Sequence, residues 1–178
     1  MSRPTLLALL LSATLAQVPA CPLTQGPRSV AYPADPEAGE VAFRFEGPGE
    51  AALTVPVEIN GAGPFAFVLD TGATLTCVDQ ALADSLALPV QRGAVGAGAT
   101  VGGSGAVRLV RLDSLRLGGA SAEGLPACVL DLAHIGDMGV QVDGLLGLNF
   151  LRRFDLALDF RRNVLTLAAP DAPAAPAP

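Results

Sequence analysis

Alternation of apolar and polar positions dominates the chain. Leu53-Thr54-Val55-Pro56-Val57-Glu58-Ile59 has period two, "NGAGP" turns it, and Phe65-Ala66-Phe67-Val68-Leu69 returns. That pattern predicts a hairpin whose second strand delivers Asp70 at its exit. Thr74 to Val78 predicts a further strand. "DQALADSLAL" predicts a short helix, with Asp79 as its N-cap. Val107 to Leu117 alternates again, as do Asp155 to Phe160 and Val164 to Ala168 across an "RRN" turn. "NFLRRF" predicts one or two helical turns. Many short strands, glycine punctuation and little helix point to an all-β domain, a small barrel or sandwich.

The flanks lack this pattern. Arg3 and the apolar run Leu6 to Ala16, followed by Val18-Pro19-Ala20, have the layout of an export signal, giving residues 1–20. "VPAC" resembles a bacterial lipobox, which makes Cys21 a lipidation candidate and membrane attachment a possibility. Pro19 is unusual there, and secretion after Ala20 with Cys21 unmodified is the alternative. Residues 21–40 are rich in proline, glycine and charge and predict a flexible tether. Residues 169–178 are a Pro/Ala-rich tail. One domain, residues 41–168, remains between them.

Charge and composition narrow the chemistry. The net charge is −6, no lysine occurs, and arginines cluster only in the Arg152-Arg153 and Arg161-Arg162 pairs. Nucleic acid is therefore a poor partner. His134 is the only histidine, so histidine-rich metal sites cannot be assembled, and its neighbourhood, read as a loop, offers no nucleophile motif. No metal or organic cofactor is expected. Cys77 and Cys128 each sit in strand-like apolar runs, which favours two buried free thiols, with a disulfide between them in an oxidising compartment as the alternative. Residues 92–107, "RGAVGAGATVGGSGAV", predict a glycine-rich flap that includes Gly96, Ala97, Gly98 and Ala99. An ordinary flexible loop is the bland alternative. Carboxylates remain.

Asp70 opens Asp70-Thr71-Gly72-Ala73, directly after the apolar run "FAFVL". Downstream comes "VDGLLGLNFL", in which Leu145 and Leu146 precede Gly147 and a short helix. Together, and in this order with the flap between them, these motifs resemble the retropepsin-like aspartic proteases of the single-domain bacterial type. The resemblance spans about the whole of residues 41–168. Cys77 departs from it, standing where a branched aliphatic is usual.

The resemblance implies a small closed β-barrel with one or two short helices. It makes Asp70 the catalytic acid and Thr71, Gly72 and Ala73 its loop, with Leu145, Leu146 and Gly147 as support. Thr71 would bond across to a partner loop. Asp143 is a structural turn in this pattern and not a second acid. The chemistry needs two carboxylates about 3 Å apart sharing a proton, one acting as base on water. With one motif per chain, the second Asp70 comes from a homodimer partner. The implied activity is an aspartic endopeptidase acting on a peptide or protein substrate. A non-catalytic peptide-binding module on the same fold, or a structural envelope lipoprotein, are the alternatives.

Overall fold

The computed structural model describes residues 26–100, 103–137 and 139–170. Twelve strands and three short helices follow one another within them. The first hairpin forms as the alternation predicts: β4 (Ala52–Ile59) and β5 (Ala62–Leu69) pair antiparallel. The turn is tighter than "NGAGP" suggests. Asn60 (φ 52°) and Gly61 (φ 79°) make it alone, with the left-handed backbone that matches strand twist in two-residue hairpins. β6 (Thr76–Asp79) leads into α1 (Gln80–Ser85), and the Asp79 carboxylate caps that helix by accepting from the Ala81 N–H at 2.9 Å.

β7 (Val90–Thr100) and β8 (Gly103–Leu117) form the long hairpin read as a flap. Within it Gly96 faces Val107, Ala97 faces Ala106, Gly98 faces Gly105 and Ala99 faces Ser104. β9 (Ala120–Leu130) returns along β8 and then pairs in parallel with β6. α2 (Ala133–Asp137) follows, so residue 134 falls in a helical turn and not in a loop. β10 (Gly144–Leu146) inserts between β5, parallel, and β6, antiparallel, and α3 (Leu148–Leu151) comes next. The ring β9-β6-β10-β5-β4-β8 closes on itself through the β8–β9 pairing, which makes a six-strand barrel without free edges inside it. Its interior holds Val55, Val57, Ile59, Phe67, Leu112, Leu115, Leu125, Leu146 and Phe150. β11 (Asp155–Asp159) and β12 (Val164–Ala168) make the last hairpin, joined by β2 (Glu40–Ala42) in a separate three-stranded sheet.

Two expectations need correction. Residues 26–40 of the expected tether are built into the fold in part: β1 (Ser29–Ala31) pairs antiparallel with β9, and the Tyr32 ring meets Phe154 edge-on at 5.6 Å. A three-residue strand shows no alternation of its own; the open edge of β9 dictates it. The free thiols are also overturned. Cys77 and Cys128 face each other across the parallel β6–β9 register, with Cα atoms 4.4 Å apart, and are joined as a disulfide. That separation lies within the range a disulfide spans. Residues 1–25, which include the expected export signal and Cys21, and residues 171–178 lie outside the described residues.

Candidate active site

Asp70 stands at the exit of β5, half-buried, where the chain leaves the barrel wall. Its N–H donates to the Leu146 carbonyl at 3.0 Å, so the β5–β10 pairing runs on into the loop. The loop then folds around the carboxylate. Oδ1 accepts from the N–H of Gly72 at 2.8 Å and of Ala73 at 3.1 Å. A Cβ at position 72 would lie 3.2 Å from Oδ1, which is why the close backbone approach suits glycine. Two backbone donors fix one oxygen and hold the carboxyl in a single orientation. Thr71 is exposed.

Downstream residues hold the loop from beneath. The Ala73 carbonyl accepts from the Leu148 N–H at 2.8 Å and the Thr74 carbonyl from the Asn149 N–H at 3.1 Å, so α3 is docked on the loop by its own first amides. Gly147 lies directly on the backbone of Leu75 and Thr76, and a methyl there would overlap the Leu75 carbonyl group. Leu146 is fully buried in the barrel, while Leu145 points to the opposite face and packs against Cys77. Leu145, Leu146 and Gly147 are thus brought against the Asp70 loop.

Sequence reasoning missed Asn149. Only 6% exposed, its Oδ1 accepts from the Thr76 N–H at 2.8 Å and the Thr76 hydroxyl at 2.9 Å. Its amide donates to the Pro126 carbonyl at 2.7 Å, and the Thr76 oxygen in turn accepts from the Gly147 N–H at 3.2 Å. One amide thereby joins β6, β9 and α3 under the loop. The signal was present: an asparagine enclosed by Leu148, Phe150 and Leu151 is a polar group in an apolar run and must find partners inside. Asn149→Ala leaves two Thr76 donors and the Pro126 carbonyl without the amide they bond to. It should cost about 3 kcal/mol of stability, measured by denaturant titration; a loss below about 1 kcal/mol would show that the network is dispensable.

Asp143 accepts from the Ala66 N–H at 2.8 Å, while its own N–H and carbonyl bond to Ala66 and to the Asp79 N–H. It tacks β5 to the end of β6 and the start of β10, in keeping with a structural turn. A depression of about 730 Å³ lies beside it, lined by Asp79, Gln80, Asp84, Asp131 and Gln141 among others, and does not include Asp70. Its four acids are committed: Asp79 also accepts from Leu132 N–H, Asp84 from Gln80, Asp131 from Ala133 N–H, and Asp143 as above.

A known family and a solved structure share this fold. The family model for aspartyl proteases matches residues 55–150, more than half of the 178 residues, and includes both the Asp70 loop and Gly147. The crystal structure of a retropepsin-like aspartic protease from Rickettsia conorii superposes with a TM-score of 0.50 at 18% identity, over 79% of this chain and 94% of that one. The crystal structure of the retroviral protease-like domain of Ddi1 from Leishmania major aligns at 0.43 with 19% identity, over 68% and 94%. No curated protein sequence matches the chain. A closed six-strand barrel that braces an Asp-Thr-Gly loop on an inserted Leu-Leu-Gly strand, matched over most of that barrel, belongs to the aspartyl proteases of retropepsin-like fold.

Proposed function

We propose that the protein is an aspartic endopeptidase whose active site forms at a homodimer axis from two Asp70 carboxylates. The observation that carries the reading is the Asp70 loop: one carboxyl, oriented by two backbone amides and half open to solvent, with one such motif in the chain. A second copy related by a two-fold axis supplies the matching carboxyl, since an isologous contact brings the same residue together from both sides. One carboxylate takes a proton from water, and the other, protonated, polarises the scissile carbonyl. Thr71 would reach the partner's loop. The β7–β8 hairpins, with Gly96 to Ala99, would cover an extended peptide bonded as an added strand.

Exposed apolar side chains support the dimer. Leu148 beside the loop is 36% exposed, Leu156 and Leu158 on β11 are 38% and 40%, and Phe160 is 61%. Phe160 also stacks on Phe45, itself 37% exposed, at 6.4 Å between ring centroids. Leucines 156 and 158 sit opposite the fully buried Leu167 and Leu165, so they are core-facing positions left half open at the edge of their sheet. A second copy would cover them.

The proposal includes export. A disulfide persists in an oxidising compartment, which favours a periplasmic domain, either free or held through an acylated Cys21. The test is the release of peptides from a protein digest at falling enzyme concentration. Activity per chain should drop on dilution below the dimer dissociation constant, because neither protomer holds a whole site. Constant activity per chain in a sample that sediments as monomer would overturn the shared site.

A further inference from the structure

Five side chains form a row across the barrel wall: Val68 of β5, Leu145 of β10, Cys77 of β6, Cys128 of β9 and Leu109 of β8, each opposite the next in register. Residues opposite in register share a face. Their chain neighbours Phe67, Leu146, Val78, Ala127 and Val110 belong to the main core, so the row lies on the other face. There Cys77, Cys128 and Leu109 make a second buried cluster, with Leu75, Leu130 and Leu145 packed on it and half open to solvent. Alternation along β5 puts Asp70 on the same face as Val68. The row therefore forms an apolar wall running from the Asp70 strand to the base of the β7–β8 hairpin. The disulfide is its middle link, between strands that carry the loop and strands that carry the hairpin.

We propose that the Cys77–Cys128 bond sets the shape of the substrate cleft, so that a peptide is held tightly only once both thiols have been oxidised. This rests on the aspartic protease reading. On oxidation the two thiols lose two electrons and two protons as the S–S bond forms, and a disulfide oxidant takes them up and becomes two thiols. Cys77 and Cys128 are 6% and 4% exposed, so this exchange belongs to folding, before β6 and β9 close. A chain kept in a reducing compartment folds without the link and has a slack wall. A chain that meets oxidant while folding acquires a fixed one, and burial then shields it from reductant.

The experiment uses the full chain folded with and without dithiothreitol, thiols being counted by alkylation and mass measurement. Hydrogen exchange is read on the Asp70→Asn protein, so the result does not depend on cleavage. Protection at residues 108–110 and 127–129 should fall about tenfold or more in the reduced protein, while Leu165 and Leu167 keep theirs. With the wild type, KM for a cleaved peptide should rise about tenfold and kcat change less than about threefold. The Cys77→Ala/Cys128→Ala double variant should match the reduced protein and ignore dithiothreitol. Unchanged protection at those amides overturns the proposal, as do two free thiols in protein folded with oxidant. Loss of protection throughout also overturns it, because the bond would then staple the whole domain and not the cleft. If the oxidised wild type cleaves nothing while the exchange pattern appears, the protease reading fails and the link stands.

Discussion

Asparagine in place of Asp70 should reduce peptide hydrolysis about 10³-fold or more, because no proton can then be exchanged with the attacking water. The fold should survive. The asparagine Oδ1 can still accept from the amides of Gly72 and Ala73, which are what orient the side chain, and the Asp70 N–H to Leu146 bond is untouched. Stability should stay within about 1 kcal/mol of the wild type. Initial rates measured beside thermal midpoints separate the two effects. A well-folded variant with full activity would remove Asp70 from the chemistry. Retained peptide affinity without turnover, in both the variant and the wild type, would instead identify a binding module.

A charge at Leu158 should have the second largest effect. In the single chain Leu158 is 40% exposed at the sheet edge, so Leu158→Asp gives up part of its packing but leaves the buried Leu165 and Leu167 in place. A thermal midpoint beside the sedimentation run checks that the protomer still folds. At a dimer contact the same change puts an unpaired carboxylate among apolar side chains, and burying a charge without a partner is expensive. The dimer dissociation constant should rise about 100-fold or more, in proportion to the 2–5 kcal/mol typical of a disrupted interface anchor. Sedimentation would show monomer, and activity would return only at high concentration. An unaltered, active Leu158→Asp dimer would place the interface elsewhere on the surface.

What was legible in the chain was whatever its local pattern could carry. The β4–β5 hairpin has alternation and an Asn-Gly turn, and α1 has an Asp cap, so both can be read from a window of ten residues. The Asp70 loop and Leu145 to Gly147 are short motifs with fixed neighbours. By contrast, β1 and β2 are three residues long and owe their existence to partners far along the chain, β9 and β12. The cysteine pair was misread because an apolar setting suits a thiol and a disulfide equally. Only the register of β6 on β9 brings the two within reach, and no local pattern reports register between parallel strands. Asn149 is a similar case, since its three partners come from two other strands.

The insertion of β10 between β5 and β6 sets the order in which the molecule can be built. Asp70 and its turn are synthesised early, yet the carbonyl that receives the Asp70 N–H belongs to Leu146, and the amides that dock beneath the turn belong to Leu148 and Asn149. Until the ribosome has passed residue 149, the turn has no floor and β5 and β6 have a gap between them. Non-local closure of this kind is slow compared with hairpin formation. On the aspartic protease reading proposed above, a nascent chain therefore carries the Asp70 carboxyl in an unformed site and would not cleave the proteins around it during its own synthesis. On that same reading, cleavage would begin only after the segment through Asn149 has locked into place and a second copy has brought its own Asp70.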